Sequence, residues 1–188
     1  MDKKEKLKLL QDKVAGCKKC KLCETRTQTV FGYGNINAKI VFCAEAPGQT
    51  EDKQGIPLCG RAGQLFNNII TACGWVREEV YTCNILKCRP PSNRTPTKEE
   101  CFNCHPYLDL QLKIISPKYM VCLGATAAQN LLETETPIGY LRGKWHNYKG
   151  IKVLASYHPA FLLRNPAAKE QSWADLQLLL KEIENDTR

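Results

Sequence analysis

The chain changes its apolar period repeatedly, and each change marks an element. Leu7, Leu10 and Val14 recur at helical spacing in an otherwise charged stretch and predict an amphipathic helix over residues 4–15. The run AKIVFCAEA hardly alternates, as expected of a strand covered on both faces, and it ends at the Pro47-Gly48 turn signal. Helical spacing returns in GRAGQLFNNIITACGW through Leu65, Ile69 and Ala72, closed by Gly74. EVYTCNILK is a second strand candidate, followed by the proline-rich loop CRPPSNRTPT.

Thr97 with Glu100 forms a capping box, so a helix starts there and carries EECFNCHPYLDLQLKII. Pro106 falls inside that pattern and is expected to kink or divide it. KYMVCLG and IKVLASYHP are the third and fourth strands, with ATAAQNLLE a helix between them. KEQSWADLQLLLKEIEN is a closing amphipathic helix. Strands alternating with helices imply an α/β fold of three layers, α/β/α, around a central, mainly parallel four-stranded sheet. With no internal repeat or linker, one domain over 1–188 is expected. Ligands of such sheets bind outside the carboxyl ends of the strands. Three unusual stretches fall there: AEAPGQTED, CNILKCRPP and YHPAFLLRNP.

Composition narrows the classes. At 43% hydrophobic and 24% charged residues the chain is globular. No apolar run approaches the roughly 20 residues that span a bilayer, so no membrane partner is expected. MDKKEKLKLL lacks the apolar stretch of a signal peptide, which points to a cytoplasmic protein. The net charge of +8 serves either solubility or a polyanionic partner, and composition alone does not choose.

Eleven cysteines are many for such a chain, and an odd number cannot pair completely within it. Cys43, Cys73 and Cys122 sit in apolar stretches, where a free thiol acts as a small hydrophobe. Cys17, Cys20, Cys23, Cys88, Cys101 and Cys104 form a polar set. Cys17-x-x-Cys20 supplies half of a four-sulfur site. The other half is either Cys88 with Cys104 or the second C-x-x-C, Cys101 with Cys104. Spacing leaves zinc and iron–sulfur both open.

Eight stretches in order, CKKC, VFGYGN, AEAPGQTED, GRAGQLF, NILKCRPPSNRTPT, CHPYL, LRGKWH and YHPAFLLRNP, resemble the family 4 uracil-DNA glycosylases. These are the iron–sulfur class of their superfamily, and the resemblance runs nearly end to end. Each stretch is weak alone; their order and spacing are specific. The resemblance implies a uracil-DNA glycosylase-like fold and a [4Fe-4S] cluster on Cys17, Cys20, Cys88 and Cys104, with Cys23 and Cys101 as bystanders. It implies a monofunctional hydrolase, acting as a monomer, that flips uracil out of single- or double-stranded DNA and leaves an abasic site. His158 would stabilise the leaving base, Asn84 would read uracil, and Glu45 and Glu51 would organise the pocket and its water. Ala46 takes the place where some superfamily members carry a water-activating aspartate. Leu162 or Leu163 would wedge into the duplex, with Arg164 on the backbone; Arg61, Arg142 and Lys144 are further phosphate candidates.

Two substrate-site positions depart from the family pattern. Ala44 replaces a glycine, adding a methyl where backbone approaches ligand. Leu58 replaces a phenylalanine expected to stack on the flipped base, a contact worth about 1–3 kcal/mol. They keep a second reading alive, a catalytically weak nucleic-acid-binding protein with a structural metal cluster. Asp52, beside Glu51, reads as pocket group or surface charge.

Overall fold

A computed structural model describes residues 1–187. The chain runs α1 (Lys3–Ala15), α2 (Leu22–Thr25), β1 (Tyr33–Gly34), β2 (Ile40–Ala44), α3 (Gln49–Gln54), α4 (Arg61–Ala72) and β3 (Tyr81–Asn84). It continues through α5 (Lys98–Ile115), β4 (Tyr119–Leu123), α6 (Ala125–Leu132), α7 (Ile138–Leu141), β5 (Trp145–Tyr148), β6 (Ile151–Ser156), α8 (Pro159–Arg164) and α9 (Lys169–Asp186). The strands form one sheet in the order β1-β3-β2-β4-β6-β5. Its four inner strands are mutually parallel and are the four expected from sequence.

The sheet has six strands among the described residues, not four. Both additions are short antiparallel edges, β1 on β3 and β5 on β6. β1 has two residues, too few to show a period. β5 and β6 join through Lys149 and Gly150, both at positive φ (50° and 88°), the backbone of a two-residue hairpin. Lysine is not a usual residue at that first position, so the turn escaped notice.

Pleating divides the core into two layers. Val41 and Cys43 of β2 face α1, α5 and α6, whereas Ile40, Phe42 and Ala44 face α4 and α9. On the α5 side, Cys43, Cys83 and Cys122 lie abreast on three neighbouring strands, all fully buried. Cys73 packs in the α4 layer, so the three apolar-context cysteines are core residues.

α5 begins at the expected capping box, with Glu100 N–H donating to Thr97 Oγ1 and Thr97 N–H to Glu100 Oε2. It then runs unbroken past Pro106. Pro106 and Phe102, four residues before it, both face solvent. The missing hydrogen bond therefore falls on the solvent side of the helix, while Tyr107, Leu108, Leu112 and Ile115 hold the other side in the core. No helix among the described residues is long and apolar enough to cross a membrane.

Candidate active site and thiol cavity

The carboxyl ends of β2, β3, β4 and β6 open into one cleft of about 990 Å³. Glu45, Ala46, Glu51, Leu58, Asn84, His158 and Arg164 all line it, so the convergence expected from sequence is present.

His158 follows β6 and caps α8. Its Nδ1 accepts the Ala160 main-chain N–H at 3.0 Å. An accepting Nδ1 carries no proton, so the neutral ring carries it on Nε2, as a donor. Burial, assisted by the Arg164 charge and opposed by Glu51, pushes the imidazole down to about 4. The neutral donor is therefore the form present near pH 7.

Asn84 ends β3 and is 2% exposed. Its carbonyl accepts Lys87 Nζ at 2.9 Å. Among the described residues its side-chain amide has no protein partner, so both ends of the amide are available at the cleft.

Glu51 is partly committed: its Oε1 accepts the N–H groups of Gly60 at 2.9 Å and Cys59 at 3.2 Å. This ties α3 to the start of α4. Gly48 lies against the same carboxylate, where a Cβ would approach Glu51 Oε2 to 2.8 Å and oblige the side chain to shift. Asp52 is buried and accepts the Thr27 N–H through both oxygens, a structural tie and not a surface charge.

Leu58 walls the cleft with its backbone in the left-handed region (φ 51°). That conformation is costly for a branched side chain. Arg77 holds it there by donating to the carbonyls of Pro57 (2.7 Å) and Leu58 (3.2 Å). Gly63 allows α4 to approach, since any Cβ there would run into the Leu58 carbonyl.

Three sequence expectations need correction. Ala44 does not line the cleft; its methyl packs with Leu58 and Phe66 in the core, because strand alternation turns it into the α4 layer. The added methyl therefore meets no ligand. Leu162 is 1% exposed, on the inner side of α8, and is unavailable as a wedge. Leu163 beside it is only partly buried, and Arg164 is exposed. Arg142 is not free for phosphate: it donates to Asp175 at 2.7 and 3.1 Å. Asp175, pushed up by its own burial, also accepts from Ser156 Oγ at 2.7 Å. Arg61 lines the cleft and is exposed; Lys144 is exposed but outside the cleft.

The sequence reading passed over Tyr157, Phe161 and Arg94, which also line the cleft. The two rings stack at 4.8 Å and 26°, on either side of His158 in sequence. Their i, i+4 spacing was the available signal. Arg94, in the proline loop, donates to both oxygens of Glu100 at 2.7 and 2.9 Å.

A second cavity lies beneath the proline loop. Cys17, Cys20, Cys23, Cys88 and Cys104 line it together with Arg26, Lys87 and Tyr107. Cys101 does not; it is 4% exposed within the core. The alternative set with Cys101 therefore loses its fourth thiol, and Cys23 joins the lining instead. No three candidate ligand side chains among the described residues stand close enough to chelate one ion. A tetrahedral zinc with bonds of about 2.3 Å needs sulfurs within roughly 3.8 Å of each other, whereas a multi-iron cluster holds them further apart.

Donors point at the sulfurs: Arg26 Nη1 reaches Cys88 Sγ at 3.1 Å, and the Lys87 N–H reaches Cys104 Sγ at 3.4 Å. Burial pushes the Cys88 thiol up to about 11 and raises those of Cys20 and Cys104. These thiols stay protonated unless a metal displaces the proton. The cavity fits a thiolate-ligated cluster.

Residues 31–177 match the family model for the uracil DNA glycosylase superfamily. The chain is 45% identical over 172 residues to a type-4 uracil-DNA glycosylase of Archaeoglobus fulgidus, spanning 87% of this chain and 86% of that protein. It is 41% identical over 172 residues to the type-4 uracil-DNA glycosylase of Thermotoga maritima, spanning the same shares. The corresponding protein of Sulfurisphaera tokodaii is 43% identical over 175 residues, spanning 88% and 78%.

Proposed function

The chain belongs to the uracil-DNA glycosylase superfamily and within it to the type-4 family, and on that premise we propose that it hydrolyses the bond between uracil N1 and deoxyribose C1′ of an extruded nucleotide. The observation that carries this reading is the shared cleft of His158 and Asn84 at the carboxyl rim of a parallel sheet.

The chemistry follows from charge. As the bond lengthens, the sugar becomes oxocarbenium-like and the departing base gathers negative charge toward O2. A neutral His158 donates through Nε2–H to that oxygen, where charge develops. Asn84 donates to O4 and accepts from N3–H of uracil; the amino group of cytosine would meet its donor instead. The carboxylate of Glu45 positions water at C1′, and Glu51 holds the Leu58 wall while adding negative charge near the sugar. With alanine at 46, no aspartate activates the water, so leaving-group stabilisation carries most of the work. One water is consumed: its hydroxyl goes to C1′ and its proton is balanced by the hydrogen at N1 of free uracil.

Cys17, Cys20, Cys88 and Cys104 would hold a [4Fe-4S] cluster that cross-links the N-terminal segment, the proline loop and α5. Broad absorbance near ~400 nm and about four irons per chain are the expected signature of such a cluster.

The reading is tested by incubating the protein with oligonucleotides carrying uracil, hypoxanthine or xanthine, followed by alkaline cleavage. Strand scission at uracil is expected. Intact uracil-containing single- and double-stranded DNA at micromolar enzyme would refute the proposal.

The wedge is assigned to Leu163 with Arg164 on the backbone. Leu163→Ala should slow release from duplex by roughly 10-fold or more, since unstacking a base step costs a few kcal/mol. Release from single strands should change little; equal losses on both substrates remove the wedge.

A further inference from the structure

Two rings at the cleft belong to neither core layer. Tyr157 and Phe161 are each half-buried, line the cleft, and among the described residues pack into neither hydrophobic cluster. They pack on each other instead, with ring centres 4.8 Å apart and planes 26° from parallel. A stacked pair at the mouth of a polar cleft is a flat apolar surface that a third flat group can extend.

The pair is braced from behind. Arg142 Cζ lies 5.4 Å from the centre of the Tyr157 ring, within cation–π range. Arg142 is itself held in place, donating to both oxygens of Asp175 at 2.7 and 3.1 Å and to the Gln171 carbonyl at 2.7 Å. Asp175 is fully buried. Tyr157 thus stands against a fixed ion pair, whereas Phe161 has no other ring and no cation against it among the described residues. A surface set before its ligand arrives gives up little freedom on binding.

The place of Phe161 along α8 indicates which base it takes. His158, Phe161 and Arg164 recur at every third residue and all line the cleft. At about 1.5 Å of rise per residue, the ring lies about 4.5 Å beyond His158, with Arg164 about 4.5 Å further on. On the proposed reading His158 faces uracil and Arg164 faces the sugar–phosphate chain. The ring between them is then offset from the extruded base by roughly one nucleotide step, about 3.4 Å in stacked DNA. In a duplex the neighbouring base is already paired and stacked. In a single strand it has no partner, and an aromatic face supplies one.

We propose that Phe161, backed by Tyr157 and Arg142, stacks on the base adjoining the extruded uracil and holds single-stranded substrates in register. Every base has a π face, so the contact fixes position without restricting sequence context. It does for single strands what Leu163 does for duplex. The inference rests on the placing of uracil against His158 and Asn84.

Binding is measured by fluorescence anisotropy of labelled single-stranded oligonucleotides with one central uracil on a sugar fluorinated at C2′. Fluorine there disfavours the oxocarbenium-like sugar, so the bond to uracil stays intact. Each neighbouring base is deleted in turn, leaving its sugar, and the unaltered chain is compared with Phe161→Ala. Deleting one neighbour should weaken binding to the unaltered chain by roughly 10-fold, the ordinary worth of one base on an aromatic ring. Phe161→Ala should bind the intact oligonucleotide roughly 10-fold more weakly and lose no more than about 2-fold on the deletion. Phe161→Leu, with apolar bulk but no π face, should match alanine; Phe161→Tyr should restore the sensitivity. On a duplex carrying the same nucleotide, Phe161→Ala should cost no more than about 2-fold.

No loss on deleting either neighbour, or a loss undiminished in Phe161→Ala, would overturn the proposal. An undiminished loss alongside weaker binding would place the ring on uracil itself. Sensitivity kept by Phe161→Leu, or an equal loss on duplex, overturns it as well. Should Phe161→Ala fail to fold, judged by thermal unfolding, Phe161→Leu decides. No bond is broken in these measurements, so a chain that releases uracil but ignores the neighbouring base refutes this inference alone.

Discussion

In single-turnover assays on uracil-containing DNA, His158→Ala is expected to act on the order of 10²–10³ times more slowly than the unaltered chain, the usual effect of removing one donor aimed at developing negative charge. Iron content should not change, because His158 lies in the cleft and the thiols line a separate cavity. The Ala160 N–H would lose its acceptor, but it opens a six-residue helix at the cleft rim and water replaces the imidazole there. Stability therefore changes little while rate collapses. A variant that keeps most of its rate would show that the leaving base is stabilised elsewhere.

The pH profile makes the same assignment independently. With the ring held down to about 4 by burial, the donor form is fully populated at pH 6–8, and the rate should show no break near the ordinary imidazole value. Activity dependent on this group falls only as pH drops through about 4. An imidazolium catalyst would give the opposite sign, with rate rising on acidification through 6–7. Stability has its own window. The ring binds a proton below about 6.5 when unfolded and only below about 4 when folded, so between those values the unfolded chain holds more protons and stability declines as pH falls. In His158→Ala that decline should be smaller.

What could be read from sequence depended on how local the signal was. β2 and β4 were visible because burial on both faces writes itself as an unbroken apolar run, β3 and β6 because β-branched and aromatic residues cluster there, and α5 because its capping box lies within four residues. The cleft was legible in outline, since strand ends in a parallel sheet share one rim. Contacts between distant segments were not. Arg142 looked like a phosphate ligand because nothing marks Asp175, on the otherwise amphipathic α9, as facing inward. Only tertiary packing joins Arg142, Asp175 and Ser156. Leu162 and Leu163 are neighbours in sequence, but α8 buries one and leaves the other at the surface; read as a loop, they were equivalent. Lys87 was passed over within KCRPP because lysine is ordinarily exposed, and its burial appears only once Gln111 and Asn84 are in place.

Asn84→Ala should also lower uracil excision strongly, by a different route. In the proposed pose the amide would form one donor and one acceptor contact with the uracil edge, and leaving each buried base group unsatisfied costs about 1–3 kcal/mol. Losing both, about 2–6 kcal/mol together, gives a reduction of roughly 30-fold to 10⁴-fold in kcat/KM on that basis. The larger consequence is for selectivity. On the proposed reading Asn84 rejects cytosine in the unaltered chain because its side-chain N–H groups would oppose the exocyclic amino group. Alanine makes neither the good contact nor the bad one, so the ratio of uracil to cytosine turnover should contract because uracil turnover falls while cytosine turnover does not. The Lys87 contact survives the substitution because it uses the main-chain carbonyl. Iron retention should therefore match that of the unaltered chain, which separates loss of base reading from loss of the framework. A variant that releases uracil as slowly as predicted but discriminates against cytosine undiminished would move the reading of the base to another wall of the cleft, where Tyr157, Phe161 and the main chain around Ala46 supply the remaining contacts.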